Sequence, residues 1–217
     1  MTRTGDAGRP PIEVHADSAM DWARANARAI GIGAIALAVV LGGGALWRRS
    51  SAIKEERAGK ALSEAQRSFA SGNLPLAQSD LQKVVQRYGG TRAGIQARLL
   101  LAQVHFGQGK PVDGVKTLDD INSPGVFASA VHALKGAGME QQNKPIEAAD
   151  HYLQAAKDAT SDIQRDGYRV DAARAYAAGN RPADAIKIWQ SMAADESSAY
   201  SSEARVRLGE LTAKPAA

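Results

Sequence analysis

Cysteine is missing from this chain of 217 residues, and so are the short motifs that mark the common catalytic sites. Without cysteine the chain has no disulfide, no thiolate metal ligand and no cysteine nucleophile. The sequence also lacks the G-x-S-x-G turn of serine hydrolases and the phosphate-binding P-loop. We therefore expect a protein that is not an enzyme and binds no cofactor, metal or small-molecule substrate.

A concentrated basic patch is also missing from the folded part of the chain, although the net charge is +4. Binding of nucleic acid relies on clustered lysine and arginine side chains. The largest basic excess lies at residues 48–60, where five basic residues face two acidic ones. Such a short cluster suits anionic lipid headgroups or the solvated start of a helix. We expect no nucleic-acid partner.

Residues 31–36 read GIGAIA, which has the small-residue spacing of a dinucleotide-binding turn. That turn needs a buried strand before it and a helix opening at its last position. The preceding residues include Asp21 and Arg28, which a buried parallel strand does not tolerate. Glu55 and Glu56 lie where a ribose-binding acid belongs, but within a charged stretch that no strand precedes. The sequence context excludes a nucleotide site.

Residues 29–47 contain no charged side chain over nineteen positions. At a rise of 1.5 Å per residue this run extends about 28 Å, close to the hydrocarbon thickness of a bilayer. Trp22 and Trp47 bracket the run, and Arg48 and Arg49 follow it directly. Aromatic and basic side chains are typical of the membrane interface. We predict a transmembrane helix over 29–47, with these four residues at the membrane interface.

A cleaved signal peptide is the alternative interpretation, because Gly43 and Ala45 suit a small-residue cleavage site. However, 28 residues precede the apolar run, which is longer than the apolar core of a usual signal peptide. We therefore predict an uncleaved anchor. Residues 1–28 are predicted to be a disordered tail, and residues 48–57 a basic juxtamembrane helix or linker.

Small residues recur through the rest of the chain at intervals of 34 or 37 positions. The first column is Ala77, Gly114, Ala148 and Ala185. Twelve residues earlier stands a second small column, which is Ala65, Ala102, Gly136 and Ala173. Four residues after the first column stand large side chains, which are Leu81, Leu118, Tyr152 and Trp189. A proline precedes each first-column residue, at Pro75, Pro111, Pro145 and Pro182.

This pattern predicts two helices per unit, a helix A and a helix B that begins at the proline. Proline is tolerated in the first helical turn, where its missing N–H would have no partner. The small residues allow helices A and B to cross closely, and the large residues fill the groove beside the next unit. We predict an all-α solenoid of about four helix pairs over residues 58–211, closed by a capping helix that presents Tyr200, Ala204, Leu208 and Leu211. Residues 212–217 are predicted to be a disordered tail.

The stretch YRVDAARAYAAGNRPADAIKIWQSM resembles the tetratricopeptide repeat, with Ala173, Tyr176, Ala185 and Trp189 in the positions of that family. No unit has the early tryptophan of the family, and none keeps its closing proline. Two of the intervals are 37 residues rather than 34, which predicts short insertions, for example around DATSDIQRDG. The four histidines show no metal-ligand spacing, and His105 stands where other units have Met139 and Tyr176, so we expect it to be packed inside.

The layout as a whole resembles the YfgM-like ancillary subunits of the bacterial Sec translocon. The resemblance lies in a short tail, a glycine- and alanine-rich anchor ending in GGGALWRR, and degenerate repeats to the end of the chain. It implies a single-pass protein of the inner membrane with a cytoplasmic N-terminus and periplasmic repeats. The implied partners are translocon subunits, periplasmic chaperones and secreted clients. The basic residues after the anchor favour the opposite orientation, although long translocated domains largely escape that rule.

Stacked helix pairs form a concave surface lined by helices A, which is the expected partner-binding surface. The repeat register places on it Leu99, Gln103, Phe106, Ala133, Ala137, Val170 and Arg174. One arginine among neutral groups does not suit a clamp for a terminal carboxylate. The alternative is that Leu99 and Phe106 belong to the core or lie under the terminal helix, since large apolar residues are more often buried. A second function also stays open, a scaffold for cell-envelope assembly or division that is not tied to the translocon.

Overall fold

The structure is a computed structural model, and it describes residues 20, 22 and 24–213. Most of the predicted N-terminal tail, residues 1–19, 21 and 23, lies outside the described residues, as do residues 214–217 of the predicted C-terminal tail. The chain divides into two compact units, Met1–Ile53 and Lys54–Ala217.

The described residues fold into α-helices and one short 3-10 helix, and they contain no strand. The helices are α1 (Ala27–Ala70), α2 (Leu74–Tyr88), α3 (Arg92–Gly107), α4 (Pro111–Asp119), α5 (Ala128–Gln141), α6 (Pro145–Asp158), α7 (Asp162–Ala178), α8 (Pro182–Ala193) and α9 (Ser201–Thr212). The 3-10 helix, Gly125–Phe127, leads into α5. The fold is therefore all-α, as the sequence predicts.

The first unit contains the apolar half of α1. Among the residues that the structure describes, α1 is the one helix long and apolar enough to cross a membrane, and none of its most apolar window is buried. Trp22 is exposed before the helix, and its carbonyl accepts hydrogen bonds from the backbone and the side chain of Asn26. Trp47, Arg48 and Arg49 are exposed within α1. The predicted span 29–47 and segment 48–57 thus belong to one helix.

The second unit confirms the repeat register. All twelve residues of the two small columns and the large column are buried. Each predicted proline lies at the first or second position of its helix B. The four helix pairs are the last turns of α1 with α2, α3 with α4, α5 with α6, and α7 with α8. Proline and the small crossing residues act locally, which is why their spacing alone predicts the four pairs.

The turns between helices A and B share one geometry in the last three units. The backbone N–H of the residue before the proline donates to the carbonyl of His105, Met139 or Tyr176, at 2.9 Å each time. Residues with positive φ make this closure possible, and they are Gly109, Asn143 and Asn180, at 70°, 58° and 56°. Glycine and asparagine adopt this left-handed conformation at little cost. His105 is buried, as predicted.

Three apolar clusters follow one another along the second unit. The first joins the last turns of α1 to α2 and α3, the second joins α3, α4 and α5, and the third extends from α6 to α9. Trp189, Leu81 and Leu118 are among the largest fully buried side chains. Because each cluster includes side chains from neighbouring helix pairs, no pair buries its apolar face alone.

Two side chains cap the start of α3 at positions that the sequence did not reveal. The Glu55 carboxylate accepts the backbone N–H groups of Arg92 and Ala93 at 3.2 and 3.1 Å, and Thr91 Oγ1 accepts that of Gly94 at 3.0 Å. An acceptor satisfies N–H groups that have no partner inside the helix. Glu55, excluded as a ribose ligand, thus fixes the start of α3.

The insertion predicted around DATSDIQRDG is confirmed, and it is helical: α7 begins eleven residues before Ala173, whereas α5 begins eight residues before Gly136. Ser161 caps α7, and the helix begins at Asp162, so most of this stretch is helical. Only residues 159–161 connect α6 to α7. The three additional residues of the longer unit lengthen its helix A, because a Ser-Asp helix start outweighs the loop-like composition.

The stability of the second unit is expected to fall below neutral pH. Burial lowers the pKa of the His105 and His151 imidazoles below 6.5, and nearby Lys110 or Lys135 acts in the same direction. The unfolded chain then binds more protons than the folded chain, so stability is complete above pH 6.5 and is lost as the pH falls through the folded-state pKa values. We expect a lower melting temperature at pH 5 than at pH 7.5. His105→Leu should reduce this difference, and an equal difference in both proteins would contradict the assignment.

Candidate partner-binding surface

The seven residues predicted for the concave surface fall into three columns of the A helices, and the columns differ in how far they are exposed to solvent. The first column contains Leu99, Ala133 and Val170. Leu99 and Val170 are 9% and 3% exposed and belong to apolar clusters, whereas Ala133 is partly buried. This corrects the prediction that Leu99 and Val170 face a groove. Leu99 packs in one cluster with Val131 and Leu134 of the next helix A, so this column joins adjacent units.

The second column is open to solvent. It consists of Gln66, Gln103, Ala137 and Arg174, at the same intervals as the repeats. Gln66, Gln103 and Arg174 are exposed, and Ala137 is partly buried. The sequence prediction missed Gln66, although the interval of 37 residues before Gln103 would have identified it. We call these four residues the open column.

Phe106 stands in the third column and is half-buried between two glycines. A Cβ atom added to Gly114 would lie 2.3 Å from Phe106 Cε1, and one added to Gly138 would lie 2.9 Å from Phe106 Cζ. The ring therefore packs directly on the backbones of α4 and α5. Phe106 is therefore part of the core, which confirms the alternative that this residue is structural.

The C-terminal end of the open column carries charge. Arg174 Nη2 donates to Glu203 Oε1 of α9 at 2.6 Å, and Asp171 lies 4.0 Å from Arg174. Burial raises the pKa of the Asp171 carboxyl, Arg174 opposes this shift, and Glu140 and Glu203 add to it. Helix α9 thus lies beside Arg174. A cleft of about 320 Å³ is lined by Arg174 and by residues of α8 and α9.

The first two residues of the open column, by contrast, are neutral glutamines. Gln66 and Gln103 present amide donors and acceptors, and neither side chain makes a hydrogen bond to another described residue. Half-buried Phe69 and Phe106 stand three residues after them. This part of the surface can therefore accept backbone and apolar groups, and it lacks the basic side chains that would clamp a carboxylate.

No group of three histidine, aspartate or glutamate side chains in the described ranges is placed to hold a metal ion. His132 and His151 stack with ring centroids 5.9 Å apart, and Asp158 Oδ2 lies 3.8 Å from His132 Nε2. The arrangement at this point is a packed pair between α5 and α6.

Comparison with known proteins supports a tetratricopeptide repeat-like fold. The family model of a tetratricopeptide repeat-like domain matches residues 20–110 and residues 59–172. The second match alone covers more than half of the chain. No curated protein matches the sequence.

Proposed function

We propose that this chain, which belongs to the tetratricopeptide repeat-like domain family, is a membrane-anchored module that binds other proteins. Repeats of this type generally bind protein partners. The observation that carries the proposal is the continuity of α1, whose apolar half meets the size and composition of a membrane span and whose last turns form the first helix A. One helix thus connects the anchor to the repeats.

The proposed anchor is the uncharged segment 29–47. Ile32, Ile35 and Val40 are each more than two-thirds exposed, a degree of exposure that favours a lipid environment for an apolar helix. Trp22 and Trp47 would lie at the two interfaces, with Arg48 and Arg49 beside the headgroups. If this region were a cleaved signal peptide, the mature chain would lack most of residues 29–47.

We further propose the role that the resemblance implies, an ancillary subunit of the translocon in the bacterial inner membrane that links secretion to periplasmic chaperones. The N-terminus would be cytoplasmic and the repeats periplasmic. The neutral glutamines Gln66 and Gln103 of the open column support contacts to backbone and apolar groups, as secreted clients offer while they are unfolded. A scaffold of cell-envelope assembly or division would use the same anchor and surface. Neither role includes catalysis or a cofactor.

Membrane fractionation tests the anchor. We expect the full-length chain to stay in the membrane pellet after extraction at alkaline pH, with its N-terminus intact, because an apolar span is not released by loss of surface charge contacts. A variant with Leu37 and Val40 both replaced by Arg should move to the supernatant, since each charge at the centre of a span costs about 3 kcal/mol on the insertion scale. Recovery of a soluble wild-type chain that begins near Leu46 would refute the anchor.

A further inference from the structure

A cleft of about 640 Å³ opens between α6 and α7, away from the open column. Its walls include Leu153 and Lys157 of α6 and Arg165 and Arg169 of α7. At 100° per residue, Arg165 lies about 180° around α7 from Arg174. A partner on the open column therefore leaves this cleft accessible.

A buried carboxylate positions the α7 wall of the cleft. Asp166 is 2% exposed, and its Oδ2 accepts a hydrogen bond from Ser198 Oγ at 2.7 Å. Its Oδ1 lies 3.4 Å from both Arg165 Nε and Arg169 Nη1. Arg169 Nη2 donates to Ser191 Oγ at 2.6 Å. Both guanidinium groups are thus held by fixed partners, and each keeps N–H donors that these bonds do not use.

The side chains that line the cleft carry three positive charges and one negative charge. Lys157 makes no ion pair among the described residues, and Asp150 accepts a hydrogen bond from the Tyr176 hydroxyl at 2.6 Å. Three more carboxylates lie near Arg165 outside the lining, namely the buried Asp166, the exposed Asp162, and Asp195. An exposed pair such as Arg165 with Asp162 contributes little and exchanges readily for another carboxylate.

Apolar surface completes the cleft. Leu153 and Ala156 also line the cleft, so one site combines apolar surface with several N–H donors. The volume lies within the range of about 300 to 1,000 Å³ that is usual for ligand sites. Because the cleft is open to solvent and lined by two neighbouring helices, it can admit part of a longer chain.

We propose that the α6–α7 cleft binds an acidic, extended segment of a partner protein, with Asp or Glu side chains on Lys157, Arg165 and Arg169 and an apolar side chain on Leu153. This inference rests on the proposed function, because it assumes that the module binds proteins, and it adds a second contact surface with its own chemistry. Carboxylates accept charge-assisted hydrogen bonds from such donors, and arginine can bind them through two N–H groups at once.

A library of random hexapeptides, capped at both ends so that the only carboxylates are side chains, tests the proposal. The library is passed over the immobilised full-length chain in detergent micelles. We expect the retained pool to be at least threefold enriched in Asp and Glu on the wild-type chain. The enrichment should decline as the salt concentration rises. Lys157→Glu should abolish the enrichment, because it reverses the charge of a side chain that forms no ion pair with any other described residue.

The matched control is Lys116→Glu. Lys116 and Lys157 each stand in the last turn of a helix B, so both changes affect their helix dipole alike. Lys116→Glu should keep the enrichment. Arg169→Gln should reduce it, with the melting temperature measured alongside because Asp166 loses a partner. No enrichment on the wild-type chain, or equal enrichment on Lys157→Glu, would overturn the proposal. Either result leaves partner contacts at Gln103 unaffected, which separates this failure from failure of the proposed function.

Discussion

Replacing Trp189 with alanine is expected to lower the free energy of unfolding of the repeat domain by about 3 to 5 kcal/mol. Trp189 is 1% exposed and stands in the largest apolar cluster, together with Ala185, Met192 and Tyr176. Removal of the indole leaves a cavity that the packed helices cannot fully close. The loss of stability therefore includes both the transfer free energy of the indole and the cost of the cavity. This cluster extends from α6 to α9, and the loss should therefore destabilise several helices together.

Chemical denaturation of the full-length chain in detergent micelles, followed by circular dichroism, measures this effect. Trp47→Ala is the matched control, because Trp47 is 73% exposed and lies in the other compact unit. It should leave the unfolding midpoint of the repeats unchanged. An equal effect of the two substitutions would mean that Trp189 does not fill the core between the last helix pair and α9.

Gly114→Ala is expected to destabilise the second helix pair by about 1 to 3 kcal/mol, the usual cost of overpacking. In an open helix the same change stabilises by up to about 1 kcal/mol. Here the new Cβ atom would lie 2.3 Å from Phe106 Cε1 and 3.0 Å from the Ala102 carbonyl. Phe106 cannot move away easily, because Gly138 borders its other side.

A double-mutant cycle tests this contact. Phe106→Leu shortens the ring side chain, so the double variant should be more stable than the sum of the two single effects. Gly59→Ala in α1 is the control, because Gly59 is also helical and a Cβ atom there meets no atom within 4 Å. Thermal unfolding in which Gly114→Ala is as harmless as Gly59→Ala would show that the register of α3 on α4 is wrong.

The sequence predicts those features of the fold that depend on neighbours along the chain. Proline at each helix B and a small residue at each crossing have the same physical reason in all four units, so their spacing is sufficient. The left-handed residues Gly109, Asn143 and Asn180 are equally local. Burial of Leu99 is different, because it depends on how closely the next helix A approaches, which no spacing within one unit reveals.

Long-range polar contacts could not be predicted for the same reason. Glu55 reaches the start of α3 across 37 and 38 positions, and Asp166 reaches Ser198 across 32. In the sequence both carboxylates look like ordinary charges on a helix surface. The separation of the open column from the α6–α7 cleft likewise depends on the orientation of α7, since only the packed helix shows which arginines share a face.

The two proposed binding surfaces, the open column and the α6–α7 cleft, differ in chemistry. Gln66 and Gln103 offer neutral amides, whereas Lys157, Arg165 and Arg169 offer positive charge. A client that is unfolded offers mostly backbone and apolar groups, and it would use the open column. Two independent weak contacts on one partner raise its apparent affinity well beyond that of either contact alone.

The most direct test of a membrane-anchored protein-binding module is crosslinking from Gln103→Cys in spheroplasts, since the chain has no other thiol. A membrane-impermeant reagent that joins the thiol to a nearby protein should capture translocon subunits, periplasmic chaperones or secreted clients. Capture of envelope-assembly enzymes instead would identify the alternative role. Lys116→Cys, which is outside the open column, should be labelled without capturing these proteins. Labelling of Gln103→Cys only after the inner membrane is broken would place the repeats in the cytoplasm and contradict the account, as would identical products from both positions.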